Sequence, residues 1–131
     1  MRLLDTDTCI EILRGNRDVI ERRAEVMDAV GTTSMTAAEL HFGAARSKQR
    51  GPNRRVVAEF LETLPVLDLN ARAAEHFGTL KADVEKTGKR LADADLLIAS
   101  VALAFGAVLV TGNTRHYDRI PNLQIESWIP R

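Results

Sequence analysis

The stretch from Asp93 to Val110 constrains this fold more than any other. Asp93 to Phe105 reads as an almost wholly apolar helix, Gly106 caps it, and Ala107-Val108-Leu109-Val110 follows as an unbroken apolar run. A helix with no polar face must be covered on every side, and a strand with no alternation is buried on both faces. Both conditions hold where helices cover the two faces of a parallel sheet. The rest of the chain repeats the pattern. Arg2-Leu3-Leu4, Thr32-Thr33-Ser34, Val66-Leu67-Asp68 and Gln124-Ile125-Glu126 have the length of short strands. Between them, spacing predicts helices from Thr8 to Leu13, about Asp18 to Val30, Thr36 to Arg46, Val56 to Leu64 and Ala71 to Lys86, with one turn at Thr114 to Tyr117. Thr8-Cys9-Ile10-Glu11 reads as a capping box for the first helix. The polar run Ser47 to Arg55 reads as a connector, because neither flank could build its own core. The expected class is α/β, a single domain over residues 1–131 with a central parallel sheet flanked by helices on both faces.

At 131 residues such a domain buries roughly two-thirds of the surface of its unfolded chain. Lysines plus arginines number 18, as do aspartates plus glutamates, so the formal net charge is zero. That balance announces neither a nucleic-acid nor a membrane partner, although acids gathered in a cleft can offset bases around its rim. Arginines outnumber lysines, which suits phosphate recognition, and Arg46, Lys48, Arg50, Arg54 and Arg55 form the densest basic group. Cys9 is the only cysteine, which excludes an internal disulfide, and its neighbours Ile10, Ile12 and Leu13 make it a buried hydrophobe. The apolar run ending at Val110 is too short and too interrupted by Gly106 to span a bilayer. With no charged leader ahead of an apolar stretch, the expected location is the cytoplasm.

The acids fall at telling places. Asp5 ends the first strand abruptly, and Asn113 lies two residues beyond Thr111 at the end of the Ala107–Val110 strand. Glu39 and Asp95 each stand in the first turn of a predicted helix. In an open parallel sheet, functional groups collect past the carboxyl ends of the strands, where strand order reverses. One rim can therefore carry Asp5, Glu39, Asp95 and Asn113. Carboxylates about 5 Å apart repel by about 3 kcal/mol per pair at an effective dielectric near 20. A hard divalent cation such as Mg²⁺ reverses that cost.

Structural duties compete for the same residues. Glu39 stands three residues after Thr36 and could cap its helix; Asp95 could face the helix dipole, with Asp93 as N-cap. Asp7 and Asn113 could cap the helices they precede. Asp5 alone has no evident cap to serve. His41, His76 and His116 occur singly, without zinc-site spacing, and the chain has no glycine-rich phosphate loop, no Gly-x-Ser-x-Gly elbow and no Cys-x-x-Cys.

Four segments resemble the PIN-domain ribonucleases, and among them the VapC toxins of bacterial toxin–antitoxin pairs. They are Leu3-Leu4-Asp5-Thr6-Asp7-Thr8-Cys9-Ile10, Ser34-Met35-Thr36-Ala37-Ala38-Glu39-Leu40-His41-Phe42-Gly43-Ala44, Asp93-Ala94-Asp95-Leu96-Leu97-Ile98-Ala99-Ser100-Val101-Ala102, and Leu109 to Tyr117 followed by Leu123 to Trp128. Their order and spacing match across essentially the whole chain. The resemblance implies a PIN-like three-layer fold and a metal-dependent endoribonuclease that cuts loops of tRNA, rRNA or mRNA. It further implies that Asp5, Glu39 and Asp95 bind Mg²⁺, for which Mn²⁺ can substitute, with Asn113 at the fourth site position. A homodimer and a neutralising antitoxin partner, VapB-like, whose C-terminal segment covers the cleft, are implied as well. Asp7 stands where many relatives carry Asn, and Asn113 where some carry Asp. Asp93 and Asp118 are further carboxylates near the rim.

Two rival readings remain at this level. Asp5-Thr6-Asp7-Thr8-Cys9 approaches the opening motif of haloacid-dehalogenase-like phosphatases, but Cys9 breaks it, and the lysine and late acidic pair those enzymes need are not supplied past Val110. The other rival is a non-catalytic PIN-like module that binds RNA or protein, against which the intact carboxylates stand.

Overall fold

The computed structural model describes residues 1–130. Five short strands, β1 (Arg2–Leu4), β2 (Val30–Thr33), β3 (Val66–Leu67), β4 (Val108–Val110) and β5 (Ile125–Glu126), form one sheet. Its order is β3-β2-β1-β4-β5 and every pairing is parallel. The chain builds outward from β1 through β2 and β3, then crosses to the other side of β1 to add β4 and β5. The reversal of strand order falls between β1 and β4, which pair Leu4 with Val110.

Side chains alternate across the sheet and seed two cores. Leu3 and Leu109 face one side, where they pack with α5 (Ala71–Lys86), α6 (Asp93–Ala104), Tyr117 and Ile120. Leu4 and Val110 face the other, with Cys9, Val19, Leu40, Val57, Phe60 and Trp128 from the helices α1 (Thr6–Leu13), α2 (Arg17–Glu25), α3 (Ser34–Ala45) and α4 (Arg50–Glu62) and the C-terminal segment. The result is the three-layer α/β arrangement expected from the buried β4 run. Helix α6 shows why its sequence lacks polarity: Leu96 and the whole stretch from Ile98 to Ala102 are buried. Gly106, at φ +62°, then turns the chain into β4 where a side chain would be strained.

Three local expectations are corrected. Helix α1 begins at Thr6, so the box at Thr8 lies inside it; Thr8 is buried and donates to the Val110 carbonyl instead. Helix α2 stops at Glu25, and Val30 belongs to β2, because Val26 already has extended backbone. Helix α4 starts at Arg50 and absorbs two-thirds of the expected connector. Pro52 is tolerated there because the first-turn amides of a helix have no partner to lose. Among the described residues no helix is long and apolar enough to cross a membrane.

Candidate active site

Helix α1 follows β1 with a single intervening residue, Asp5, and that brevity fixes the carboxylate at the strand's end. The Asp5 amide extends the ladder by donating to the Val110 carbonyl at 2.8 Å, while Asp5 Oδ1 accepts the Thr6 amide at 2.8 Å as the N-cap of α1. The cap missing from the sequence reading is therefore present. Asp5 Oδ2 accepts the Thr111 hydroxyl at 2.8 Å. Only 4% of Asp5 is exposed, and among the described residues it makes no ion pair. Burial pushes its pKa up to about 6, the two hydrogen bonds oppose that, and the nearby charges of Asp7 and Asp95 raise it further.

The segment after β4 serves three acids in succession. The Asn113 amide donates to Thr111 Oγ1, which itself donates to Asp5. The Gly112 amide donates to Asp7 Oδ2 at 2.8 Å, so Asp7 ties the loop to α1 rather than capping that helix. The short helix α7 (Thr114–Tyr117) then delivers the buried Tyr117, whose hydroxyl donates to Asp95 Oδ1 at 3.2 Å. His116 Nδ1 lies 3.7 Å from Asp95 Oδ2. Burial, then the charges of Asp5 and Asp95, raise the pKa of the Tyr117 phenol.

Glu39 approaches from α3. Its helix is capped by Thr33, whose hydroxyl accepts the Thr36 amide, so Glu39 is free of the capping duty the sequence allowed. Glu39 Oε1 accepts the Thr6 hydroxyl at 2.8 Å, and Thr6 Oγ1 also lies 3.0 Å from Thr36 Oγ1.

Asp5 and Asp95 are thus brought close enough to act on each other, and Glu39 joins them through Thr6. Asn113 joins through its backbone; its exposed side chain makes no capping bond to α7. Asp93 leaves the group, holding Lys81 Nζ at 3.1 and 3.2 Å, and Asp118 is the exposed C-cap of α7. Among the described residues no three acidic, histidine or cysteine side chains close on one point as they stand. The donor set nevertheless fits a hard cation: its groups are carboxylate oxygens, and the innermost, Asp5, is buried as an acid among neutral donors. Thr6, Thr111, Tyr117 and His116 carried no signal in the sequence reading beyond their closeness to the acids.

Comparison with known proteins places this arrangement. The PIN domain family matches residues 2–123. Ribonuclease VapC2 of Rickettsia felis is 33% identical over 129 residues, covering 96% of both chains. The tRNA(fMet)-specific endonuclease VapC of Salmonella typhimurium is 35% identical over 127 residues, again covering 96% of both. Among solved structures, DNA-bound VapBC from Salmonella typhimurium superposes with a TM-score of 0.92 at 35% identity over 98% of both chains. VapBC2 from Rickettsia felis, bound to a DNA fragment from its promoter, gives 0.91 at 32% identity and the same coverage. The fold and the rim of acids define a PIN domain, and the chain belongs to that family, alongside the VapC ribonucleases.

Proposed function

We propose that this chain is a metal-dependent endoribonuclease, the toxin of a VapBC-type toxin–antitoxin pair acting in the cytoplasm. The observation that carries the reading is Asp5: a buried carboxylate at the strand-order reversal, with Asp95 and Asp7 beside it and no basic side chain paired to it. A buried structural acid ordinarily sits against a base; Asp5 caps α1 and accepts two hydrogen bonds, but has no base beside it. Asp5, Asp95 and Glu39 are the residues to hold Mg²⁺ or Mn²⁺, with Asn113 at the edge of the set. Such an ion, when bound, lowers the pKa of water and steadies charge on a phosphoryl oxygen.

The chain's own contribution is to fix the acids and to admit the substrate. The Thr6, Thr111 and Tyr117 hydroxyls each hold one carboxylate oxygen, on Glu39, Asp5 and Asp95 in turn. A phosphodiester is an anion, so the acids alone repel it; exposed arginines on the rim supply the attraction. Arg115 precedes His116, which lies 3.7 Å from Asp95, while Arg54 and Arg55 lie on α4 between Asn53 and Val56, which line a groove beside Glu39. Bases paired in a duplex hide their edges, which makes an exposed loop the expected target. The tRNA specificity of the Salmonella relative makes tRNA the first substrate to try.

The antitoxin partner is supported by the VapBC complexes that this chain resembles. The groove beside Glu39 is a suitable seat for it: about 350 Å³, with Ile10, Leu13, Leu40, Val56 and Val57 in its lining. The homodimer is proposed on the family resemblance.

The test is to replace Asp5 or Asp95 by Asn and follow cleavage of total RNA in Mg²⁺. Loss of roughly 100-fold or more in rate is expected, as for removal of a ligand or a transition-state charge stabiliser. A variant that cuts at the unaltered rate overturns the mechanism. Sequencing the fragment ends produced by the unaltered protein identifies the target RNA.

A further inference from the structure

Tyr117 is the only tyrosine in the chain and the largest of its fully buried side chains. A phenylalanine would fill the same space and bring no hydroxyl that must find a partner. The hydroxyl donates to Asp95 Oδ1 at 3.2 Å, and the Asp5 carboxylate lies near it as well. The other oxygen, Oδ2, faces the opposite environment, 3.7 Å from a histidine ring that is 57% exposed. The two oxygens of one carboxylate are therefore distinguished, one bonded to a buried phenol and the other beside a largely exposed imidazole.

We infer that Tyr117 is a positioning residue for Asp95, whose hydroxyl pins Oδ1 from beneath and presents Oδ2 to the open side of the site. This rests on the reading above, in which Asp95 helps to hold a divalent cation. The choice of a phenol has a physical reason. A lysine or arginine at this place would steady Asp95 equally well but would neutralise the charge that a cation needs. A phenol donates one hydrogen bond and carries no charge, so it fixes the carboxylate without competing for it. The group is also rigid: its ring packs in the core with Leu3, Leu96 and Leu109, so its oxygen cannot follow Asp95 elsewhere.

The single tyrosine makes the test direct. Protein grown on 3-fluorotyrosine carries fluorine on this ring alone. The expected result is a resonance that moves on addition of Mg²⁺, with the same half-point as the Mg²⁺-dependent rise in Tm, and that stays still in Asp95→Asn. Tyr117→Phe keeps the ring and removes the hydroxyl. It is expected to raise the Mn²⁺ concentration at half-maximal stabilisation roughly tenfold, and to lower kcat on RNA similarly at unchanged KM. A resonance that ignores Mg²⁺ while Tm rises overturns the inference. So does a Tyr117→Phe protein with the unaltered Mn²⁺ half-point, even if its metal-free Tm has dropped, since that marks a packing role only. If Tyr117→Phe does not fold, the fluorine titration decides. If Mg²⁺ neither raises the Tm of the unaltered protein nor supports cleavage, the metal site itself is wrong and the role of Tyr117 falls with it.

Discussion

Thr6 and Glu39 are joined across two helices: the Thr6 hydroxyl donates to Glu39 Oε1 at 2.8 Å, while the Thr6 amide donates to Asp5 Oδ1 at the same distance. One small residue thereby sets the separation of two acids that lie 34 positions apart in the chain. A second hydroxyl, from buried Thr36, closes the link at 3.0 Å.

Thr6→Val keeps the β-branched shape and deletes the hydroxyl, freeing Glu39 and leaving Thr36 with one partner fewer. Stability should fall by about 1 kcal/mol, the usual net worth of a hydrogen bond. RNA cleavage should fall by roughly tenfold, because Glu39 is no longer held near the other acids. Thr6→Ser should restore both. Thermal melts and a gel assay of RNA cleavage check the pair of effects; a Val variant of full activity removes Thr6 from the site.

Asp5 makes the metal-free protein weaker at neutral pH. Its folded pKa is raised from 3.8 to about 6, chiefly by burial, so between those values the folded protein keeps a proton that the unfolded chain releases. Stability from this group is full below about pH 4 and is lost as pH rises through about 6, at a total cost of about 3 kcal/mol. Asp5→Asn removes that cost. In chelator the Asn variant should melt several degrees above the unaltered protein near neutral pH, and the gap should close on acidification to about pH 4. A gap independent of pH would show that the anion of Asp5 is not the strained species.

Gly112 has no room for a side chain. A Cβ built there meets Ile129 Cδ1 at 2.7 Å and Asp7 Oδ2 at 2.8 Å. Both are the far ends of side chains and can move, so Gly112→Ala should cost only about 1–2 kcal/mol in stability. The displaced Asp7 must give up its 2.8 Å bond from the Gly112 amide, so the loop carrying Asn113 shifts with it. Activity should therefore drop by more than the melting temperature alone accounts for.

Cys9 is fully buried, and that burial pushes its thiol up to about 12. Thiolate is scarce at neutral pH and reagents cannot reach it. Ellman's reagent should find no reactive thiol in the native protein and one after denaturation. Prompt labelling of the native form would mean that α1 lifts from the sheet often enough to expose Cys9.

The chain's own residues determine the architecture through local rules. Leu3-Leu4 and Leu109-Val110 are apolar at consecutive positions, which a strand tolerates only when helices cover both of its faces, and the two cores divide along those very residues. Asp5 and Asp95 stand at a strand end and a helix start, local features that a parallel sheet gathers on one edge, whereas α3 begins at Ser34 and puts Glu39 past its first turn. What the sequence alone left open depended on register. The pairing of Leu4 with Val110 puts residue 5 beside residue 111, and so gives Asp5 the hydroxyl of Thr111 across 106 positions. Thr6 on Glu39 and Tyr117 on Asp95 are contacts of the same long-range kind, and a hydroxyl's partner is not encoded in its neighbours. The cap made by Asp5 is not legible in the sequence because it depends on α1 starting one residue after β1, a boundary set by packing of the helix on the sheet rather than by the capping pattern at Thr8.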